Sequence, residues 1–380
     1  MKKLLLTAAI CGAAATGAHA QSSVTLYGLI NSGLTYVNNS KGGSLVQMQS
    51  GAYTGSRWGV KGREDLGNGY AAVFVLENGF DGFKGTLGQG GREFGRQAYV
   101  GIAAPWGTVT AGRQYEESST FVSKVSASGL WAGYIGSHPG DVDNVGSTNR
   151  VNNTIKYTSP KFKGLTVGGL YSLGGVAGDF RSHEVFSLGG IYENGPVTVA
   201  AAFENIHDPG FSLYDGADPV AGSLGSYKSP ASNPMFAGYE SASNMQVFGG
   251  GMTYALGPVK LGAVYTNTQF RNVIATPTTP RAGSHTFQDF EANVVYQATA
   301  PLSFGASYDY LDGDDAHYSQ VQAGVHYAIS KRTELYTLGI WQHASGIDST
   351  GKSAVANITT LSASSTPNQV AVTAGIIHTF

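Results

Sequence analysis

Connections of two alternating lengths divide the chain into segments that have the two-residue period of β-strands. Seven short connections fall at residues 66–69, 104–107, 159–164, 193–196, 256–258, 299–301 and 330–332. Eight longer or more polar connections lie near residues 39–56, 81–91, 115–150, 175–181, 208–243, 270–285, 312–316 and 346–367. Seven and eight make fifteen connections, which predict sixteen antiparallel strands with both chain ends on the short-turn side. Turns that are short on one rim and long on the other are typical of outer-membrane barrels.

The strands are long enough to cross a bilayer. In the first, Val24, Leu26 and Leu34 share one face of a run of about 12 residues, the length that a tilted transmembrane strand needs. An unpaired backbone N–H or C=O in hydrocarbon costs several kcal/mol, so such a sheet must close on itself. About sixteen strands enclose a lumen too wide for side chains to fill. The sequence therefore predicts an all-β fold, a 16-stranded antiparallel transmembrane β-barrel that is filled with water.

The third long connection, residues 115–150, departs from the strand pattern. Loops much longer than about 15 residues without regular structure are usually functional or disordered. This one contains Phe121, Trp131, Tyr134 and Ile135, and is too apolar for a solvated tail. We expect it to fold inward into the mouth of the barrel and to narrow the lumen, so that the protein acts as a passive membrane channel.

Composition favours a membrane-embedded surface. Charged residues make up 13% of the chain, about half the usual share. The 21 tyrosines fit a barrel whose aromatic residues lie where an apolar belt meets water. The balance of 23 Lys and Arg against 25 Asp and Glu argues against nucleic acid as a partner.

Residues 1–20 predict a signal peptide for export. A positively charged start is followed by an apolar run over residues 4–15, and a small-residue cleavage pattern ends at Ala20. Cleavage would leave residues 21–380 as the barrel domain and would remove Cys11, the only cysteine, so no intramolecular disulfide is predicted.

Six stretches carry motifs whose order and spacing are more specific than any one of them. They are SVTLYG at 23–28, SRWGVKGREDLG at 56–67, RQAYVG at 96–101, GTVTAGRQY at 107–115, RVNNTIKYTS at 150–159 and HTF at 378–380. Together they resemble the trimeric, sixteen-stranded general porins of the Gram-negative outer membrane, in the branch best known from β-proteobacteria. Two departures are Thr379, where many members carry a basic residue, and the absence of a Pro-Glu-Phe-Gly motif from the third loop.

The resemblance implies an assembly, a location and a set of constriction residues. The assembly would be a homotrimer in the cell outer membrane, in contact with outer-membrane lipid and lipopolysaccharide, with small hydrophilic solutes and ions diffusing through each barrel. In such porins a row of wall arginines faces acidic residues on the third loop. Carried over by position, the wall residues are Arg57, Arg96 and Arg150 with Lys61 beside them, and the loop acids are Glu116, Glu117, Asp141 and Asp143.

Opposed charges at a narrow waist create a transverse field that selects solutes by size and dipole. Arg57 and Arg150 lie on the polar faces of their strands, which agrees with a position in the lumen. Glu77 would add a wall charge, and Arg113 matches a family position nearer the subunit contact.

Two other classes of function stay open on sequence grounds: a barrel enzyme, such as a surface protease or phospholipase, and a soluble secreted binding protein. The wide barrel and the long third loop favour the channel. No motif predicts a cofactor or a metal. Residues 312–315 lack the remaining ligands of a calcium loop, and histidines such as His138 lack the spacing of zinc ligands, so we interpret them as polar loop residues.

Overall fold

The computed structural model describes residues 22–215, 233–275 and 279–380, so the predicted signal peptide lies outside the described residues. The strands are β1 Ser23–Ser40, β2 Gly43–Ser50, β3 Arg57–Gly67, β4 Tyr70–Gly79, β5 Gln97–Ala104, β6 Gly107–Gln114, β7 Val151–Thr158, β8 Leu165–Ser172, β9 Val185–Asn194, β10 Val197–His207, β11 Asn244–Leu256, β12 Val259–Val273, β13 Gly283–Gln297, β14 Leu302–Gly313, β15 Ala316–Ala328, β16 Thr333–Gly346 and β17 Asn368–Thr379. The helical segments are α1 Glu117–Thr120, α2 Pro209–Ser212, a π-helical turn at Ser128–Ala132 and 3-10 turns at Gln89–Gly91, Val122–Val125, Tyr134–Gly136, Pro139–Asp141 and Ala237–Tyr239. Within these ranges, no helix is both long and apolar enough to cross a membrane.

The antiparallel sheet closes into a barrel. Strand β1 pairs with β17, from Leu29 opposite Thr379 to Val37 opposite Ala371. Strands β2 and β3 both pair with β1, so they are two halves of one wall strand. The seventeen segments of the sheet therefore occupy sixteen wall positions, which confirms the predicted strand number.

The prediction of a polar loop over residues 39–56 is wrong. A two-residue turn at Lys41 and Gly42, both with positive φ, leads directly into β2. Residues 51–56 alone leave the hydrogen-bonded ladder. The many Gly, Ser and Gln residues in this stretch hide its alternation, although Val46 and Met48 point outward and are 62% and 58% exposed.

The remaining connections sort by length as predicted except at residues 314–315, where β14 and β15 are joined by a two-residue turn on the rim of the long loops. The short turns join β3 to β4, β5 to β6, β7 to β8 and so on to β15 and β16, all at one rim. Both chain ends meet at that rim: the Gly28 N–H donates to the Phe380 carbonyl at 3.2 Å, and the Phe380 N–H donates to the Gly28 carbonyl at 3.0 Å.

The two faces of the wall differ in chemistry. Along β10, Val199 and Phe203 are exposed, whereas Ala200, Ala202 and Glu204 are buried, and the other long strands alternate in the same way. Exposed apolar side chains on the outer face match what lipid contact requires of a membrane barrel. The buried face carries the polar groups that receive the third loop.

Candidate pore constriction

The third loop, residues 115–150, packs onto the polar face of the wall by hydrogen bonds to successive strands. The backbone N–H of Glu117 donates to Ser187 Oγ on β9 at 3.0 Å. The N–H of Ala127 donates to both carboxylate oxygens of Glu291 on β13, each at 2.9 Å. Gln322 Nε2 on β15 donates to the Gly136 carbonyl at 3.0 Å. The loop thus follows the inner circumference and satisfies its backbone groups with wall side chains.

Glycines in the strands make room for the apolar side chains of the third loop. A Cβ at Gly305 on β14 would lie 2.1 Å from the indole of Trp131, and one at Gly324 on β15 would lie 3.1 Å from it. Near Phe121, a Cβ at Gly189 on β9 would come within 3.0 Å of the ring. Glycines at these wall positions therefore allow the third loop to lie close to the backbone of the strands.

The middle of the third loop packs against the inward bulge formed by residues 51–56. The Tyr134 N–H donates to the Tyr53 carbonyl at 2.8 Å, and the Ile135 N–H donates to the Ala52 carbonyl at 3.1 Å. These carbonyls are free to accept because the bulge has left the strand ladder.

A cavity of about 340 Å³, which we call the waist cavity, lies between this bulge, the neighbouring wall and the third loop. Its lining consists of Tyr53, Thr54, Arg57, Arg96, Tyr115, Ser119, Thr120, Ser123, Ser128, Gly129, Gly133, Tyr134, Gly146 and Ser147. None of these described lining residues is acidic. The cavity is therefore lined by guanidinium groups, hydroxyls and small residues.

Two arginines reach the waist cavity from the wall. Arg57, the first residue of β3, is half-buried, and its Nε donates to the Gly55 carbonyl at 3.1 Å. Arg96 is 1% exposed, and its Nε lies 2.7 Å from Glu77 Oε1. Glu77 on β4 thus offsets the charge of Arg96, whereas Arg57 forms no ion pair among the described residues.

Two tyrosines of the third loop bind the arginines, a role that sequence reasoning missed. Tyr115 Oη accepts hydrogen bonds from Arg96 Nη2 at 2.8 Å and from Arg150 Nη2, and its ring centroid lies 4.6 Å from the Arg150 guanidinium carbon. Tyr134 Oη accepts from both Nη atoms of Arg96 at 3.3 Å. Arg150 itself is 2% exposed beneath the Tyr115 ring. No motif signals this arrangement, because the tyrosines are brought to the arginines by the path of the loop.

The loop acids do not face the arginines, which differs from the prediction. Each acid is nearly fully buried with a local partner: Glu116 accepts from the Ser119 N–H at 3.0 Å, Glu117 lies 3.2 Å from Lys156 Nζ, Asp141 accepts from the Gly146 N–H at 2.6 Å, and Asp143 lies 2.6 Å from His138 Nδ1. Among the described residues, none of the four forms an ion pair with Arg57, Arg96 or Arg150. The physical reason is that a buried carboxylate needs hydrogen-bond donors, and the folded loop and the wall supply them.

Burial raises the pKa of three of the four loop acids, whereas His138 outweighs burial at Asp143 and lowers the pKa of that carboxyl. Burial raises the pKa of Glu116, and it raises the pKa of Glu117 although Lys156 opposes the shift. Burial together with the nearby Asp143 raises the pKa of Asp141 to about 7. None of the four acids lines the waist cavity.

Two other basic residues that the sequence analysis named, Lys61 and Arg113, do not line the waist cavity. Lys61 is exposed on β3, with its Nζ 5.1 Å from the centroid of the Tyr27 ring. Arg113, at the end of β6, donates to Asn152 Oδ1 at 2.6 Å and lies 3.3 Å from Asp215 Oδ2.

Comparisons with known proteins agree with the barrel. The family model described as Gram-negative porin matches residues 6–338. An outer membrane porin protein of Bordetella pertussis is 31% identical over 389 residues, which cover 89% of this chain and 94% of that protein. The major outer membrane protein P.IB of Neisseria gonorrhoeae is 28% identical over 367 residues, covering 92% of this chain and 96% of that protein. Among solved structures, an anion-selective porin from Comamonas acidovorans shares the fold with a TM-score of 0.73 at 22% identity, over 95% of this chain and 100% of that one. The chain therefore belongs to the Gram-negative porin family and forms a water-filled channel in the outer membrane for the passive diffusion of small hydrophilic solutes and ions.

Proposed function

We propose that this channel prefers small anions to cations, and that solutes cross it without a chemical step. The observation that carries the preference is the lining of the waist cavity, which contains no acid among its described residues and contains Arg57 as well as Arg96, whose charge Glu77 offsets from outside the lining. Within the third loop, all of which is described, Lys124 is the one charged side chain that is exposed. Fixed positive charge at a narrow point raises the local concentration of anions and repels cations.

The same proposal assigns the constriction to particular groups. The third loop narrows the lumen, and Arg57, Arg96 and Arg150 with Tyr115 and Tyr134 form the polar wall of the opening. The buried loop acids stabilise the position of the loop without lining the waist cavity. The solved porin from Comamonas acidovorans, which is described as anion-selective, has the same fold, and this likeness is consistent with the proposal.

The assembly belongs to the proposal as well. We expect a homotrimer in contact with outer-membrane lipid and lipopolysaccharide, with one pore in each barrel. A solved structure with the same fold is described as the trimer form of an outer membrane protein of Vibrio cholerae, at 15% identity and a TM-score of 0.62. The exposed apolar face of the barrel supports burial against lipid and against a second copy of the chain.

Planar-bilayer recording of the purified protein tests this proposal. We expect conductance to rise in groups of three equal steps, and a KCl gradient to give a reversal potential of the sign that chloride permeation produces. A reversal potential of the opposite sign contradicts the anion preference. Hydrolysis of peptide or phospholipid substrates in the absence of ion conduction would instead support the enzyme alternative.

A pH dependence follows from Tyr134. Burial opposes ionisation of its hydroxyl, but Arg96, Arg150 and Arg57 outweigh burial and lower the pKa of Tyr134 to about 7. Above that pH a tyrosinate offsets part of the guanidinium charge, so the anion preference should fall as the pH rises from about 6 to about 8.

Reversal potentials across this pH range measure the effect. The Tyr134→Phe variant should lose it, whereas Tyr157→Phe should retain it because Tyr157 lies at the short-turn rim, where it donates to the Trp106 carbonyl at 2.7 Å. An unchanged pH profile in Tyr134→Phe would show that another group titrates.

A further inference from the structure

A buried cluster of one histidine and four carboxylates lies behind the third loop, on the side away from the waist cavity. His138 and Asp143 come from the loop, Asp289 and Glu291 from β13, and Asp309 from β14. The exposed fraction of each residue is at most 4%. His138 is therefore not a solvated loop residue but part of the contact between the loop and the wall.

The hydrogen bonds of His138 direct one ring nitrogen toward the wall. Nδ1 lies 2.6 Å from Asp143 Oδ2, which also accepts from Thr266 Oγ1 at 2.7 Å. A carboxylate that accepts from Nδ1–H leaves the lone pair on Nε2, the arrangement by which protein carboxylates orient metal-binding histidines. Nε2 lies 3.3 Å from Glu291 Oε2, 3.7 Å from Asp289 Oδ1 and 4.0 Å from Asp309 Oδ1.

Several buried atoms that point into this space have no hydrogen-bond partner among the described residues. They are His138 Nε2, both carboxylate oxygens of Asp289, and Asp309 Oδ1. No Lys or Arg in the described ranges forms an ion pair with any of the four carboxylates, for which His138 is the one ion-pair partner. Burying charge in this way is costly unless a cation or protons balance it.

We propose that this cluster binds one divalent metal ion, with His138 Nε2, Glu291 and Asp309 as ligands, Asp289 as the fourth, and Asp143 orienting the imidazole. The possible ligand atoms of His138, Glu291 and Asp309 all lie within 4.8 Å of one another. Tetrahedral zinc with nitrogen and oxygen ligands at about 2.1 Å places its ligand atoms about 3.4 Å apart, close to the distances from His138 Nε2. The imidazole favours zinc over calcium or magnesium, which take oxygen ligands.

The metal would join the third loop to the wall. His138 lies on the loop, whereas the other three ligands lie on strands β13 and β14. Ion binding would therefore hold the loop against the barrel at a point opposite to the waist cavity, and it would set how firmly the loop is anchored without contacting a permeating solute. The site does not depend on the proposed anion preference.

Metal analysis of the folded protein from outer membranes tests the site. After dialysis against EDTA and then against micromolar zinc, we expect one zinc ion per chain by mass spectrometry of the metal content. The variants Asp309→Asn and His138→Gln should each bind zinc at least ten-fold more weakly. Glu204→Gln is the matched control, because Glu204 is also a fully buried wall acid that accepts from the loop backbone, at Ser118 N–H, and lies outside the ligand set.

Cobalt provides a second readout that needs no variant. Co²⁺ added to the EDTA-treated wild-type protein should give visible absorption bands of a tetrahedral site, which one equivalent of zinc should remove. If the wild type binds neither ion at one per chain, the proposal is overturned, and protons shared among the carboxylates balance the buried charge instead. Equal zinc affinity in wild type, Asp309→Asn and His138→Gln overturns it as well. Neither measurement uses ion conduction, so the result is independent of the anion preference.

Discussion

The Arg57→Glu variant should lose most of its preference for anions, with the permeability ratio of chloride to potassium falling about ten-fold. The change replaces a positive charge at the waist cavity by a negative one. At a separation of about 6 Å in water with 0.1 M salt, each unit of charge alters the energy of a monovalent ion by about 0.4 kcal/mol. Two units therefore raise the energy of chloride by about 0.8 kcal/mol and lower that of potassium by the same amount, which is about ten-fold in the ratio. Arg57→Ala should have about half this effect in free energy, or about three-fold in the ratio. Reversal potentials in a KCl gradient measure both.

Arg63→Glu is the matched control for this charge change. Arg63 lies on the same face of β3, six residues closer to the short-turn rim, and is exposed. At about 3.3 Å per residue it lies about 20 Å from Arg57, which is twice the Debye length of about 10 Å at 0.1 M salt. Its replacement should leave the reversal potential nearly unchanged. Equal shifts in Arg57→Glu and Arg63→Glu would mean that Arg57 does not act at the waist.

The Gly305→Ala variant should release the third loop from the wall. A methyl group at Gly305 would lie 2.1 Å from the indole of Trp131, a side chain that is 2% exposed. The Trp131 ring would have to leave its buried position, and losing a buried aromatic contact lowers the stability of the folded state by about 3 to 5 kcal/mol. We expect trypsin to cleave at the exposed Lys124 at least ten-fold faster than in the wild type, and single-channel currents to become noisier, because the loop opens more often.

Two further variants separate this effect from a general loss of barrel stability. Gly339→Ala on β16 should behave like the wild type, since a Cβ there meets nothing within 4 Å. The double variant Gly305→Ala with Trp131→Ala should be cleaved no faster than Trp131→Ala alone, because the methyl group then has no indole to displace. Additive effects of the two substitutions on the cleavage rate would contradict the proposed contact between Trp131 and Gly305.

The two proposed roles of the third loop depend on different surfaces. Its tyrosines bind the arginines on the side of the waist cavity, whereas its buried acids and His138 bind the wall on the opposite side. Selectivity should therefore respond to Arg57 and Tyr134, and loop mobility should respond to Gly305 and the His138 cluster. A variant that changes one property and leaves the other intact is the clearest test of this division.

Sequence patterns alone determined the barrel. The two-residue period and the alternating loop lengths depend on neighbouring residues only, and lipid forces the strands to close, so strand number, rim and chain-end positions follow without tertiary information. The pattern failed over residues 43–50, where small and polar residues mask the alternation of β2.

The direction that each loop side chain faces was decided by the tertiary structure. Arg57 and Arg96 line the waist cavity, although the strand pattern left the face of Arg96 ambiguous. Glu116, Glu117, Asp141 and Asp143 instead find partners within the loop or on the wall, and the hydroxyls of Tyr115 and Tyr134 accept from Arg96. In a loop without a repeating period, the spacing of residues in the sequence does not predict which side chains point in the same direction. The orientation of the loop depends on which wall groups, far away in sequence, can satisfy its buried donors and carboxylates, and on where glycines leave space for Trp131 and Phe121.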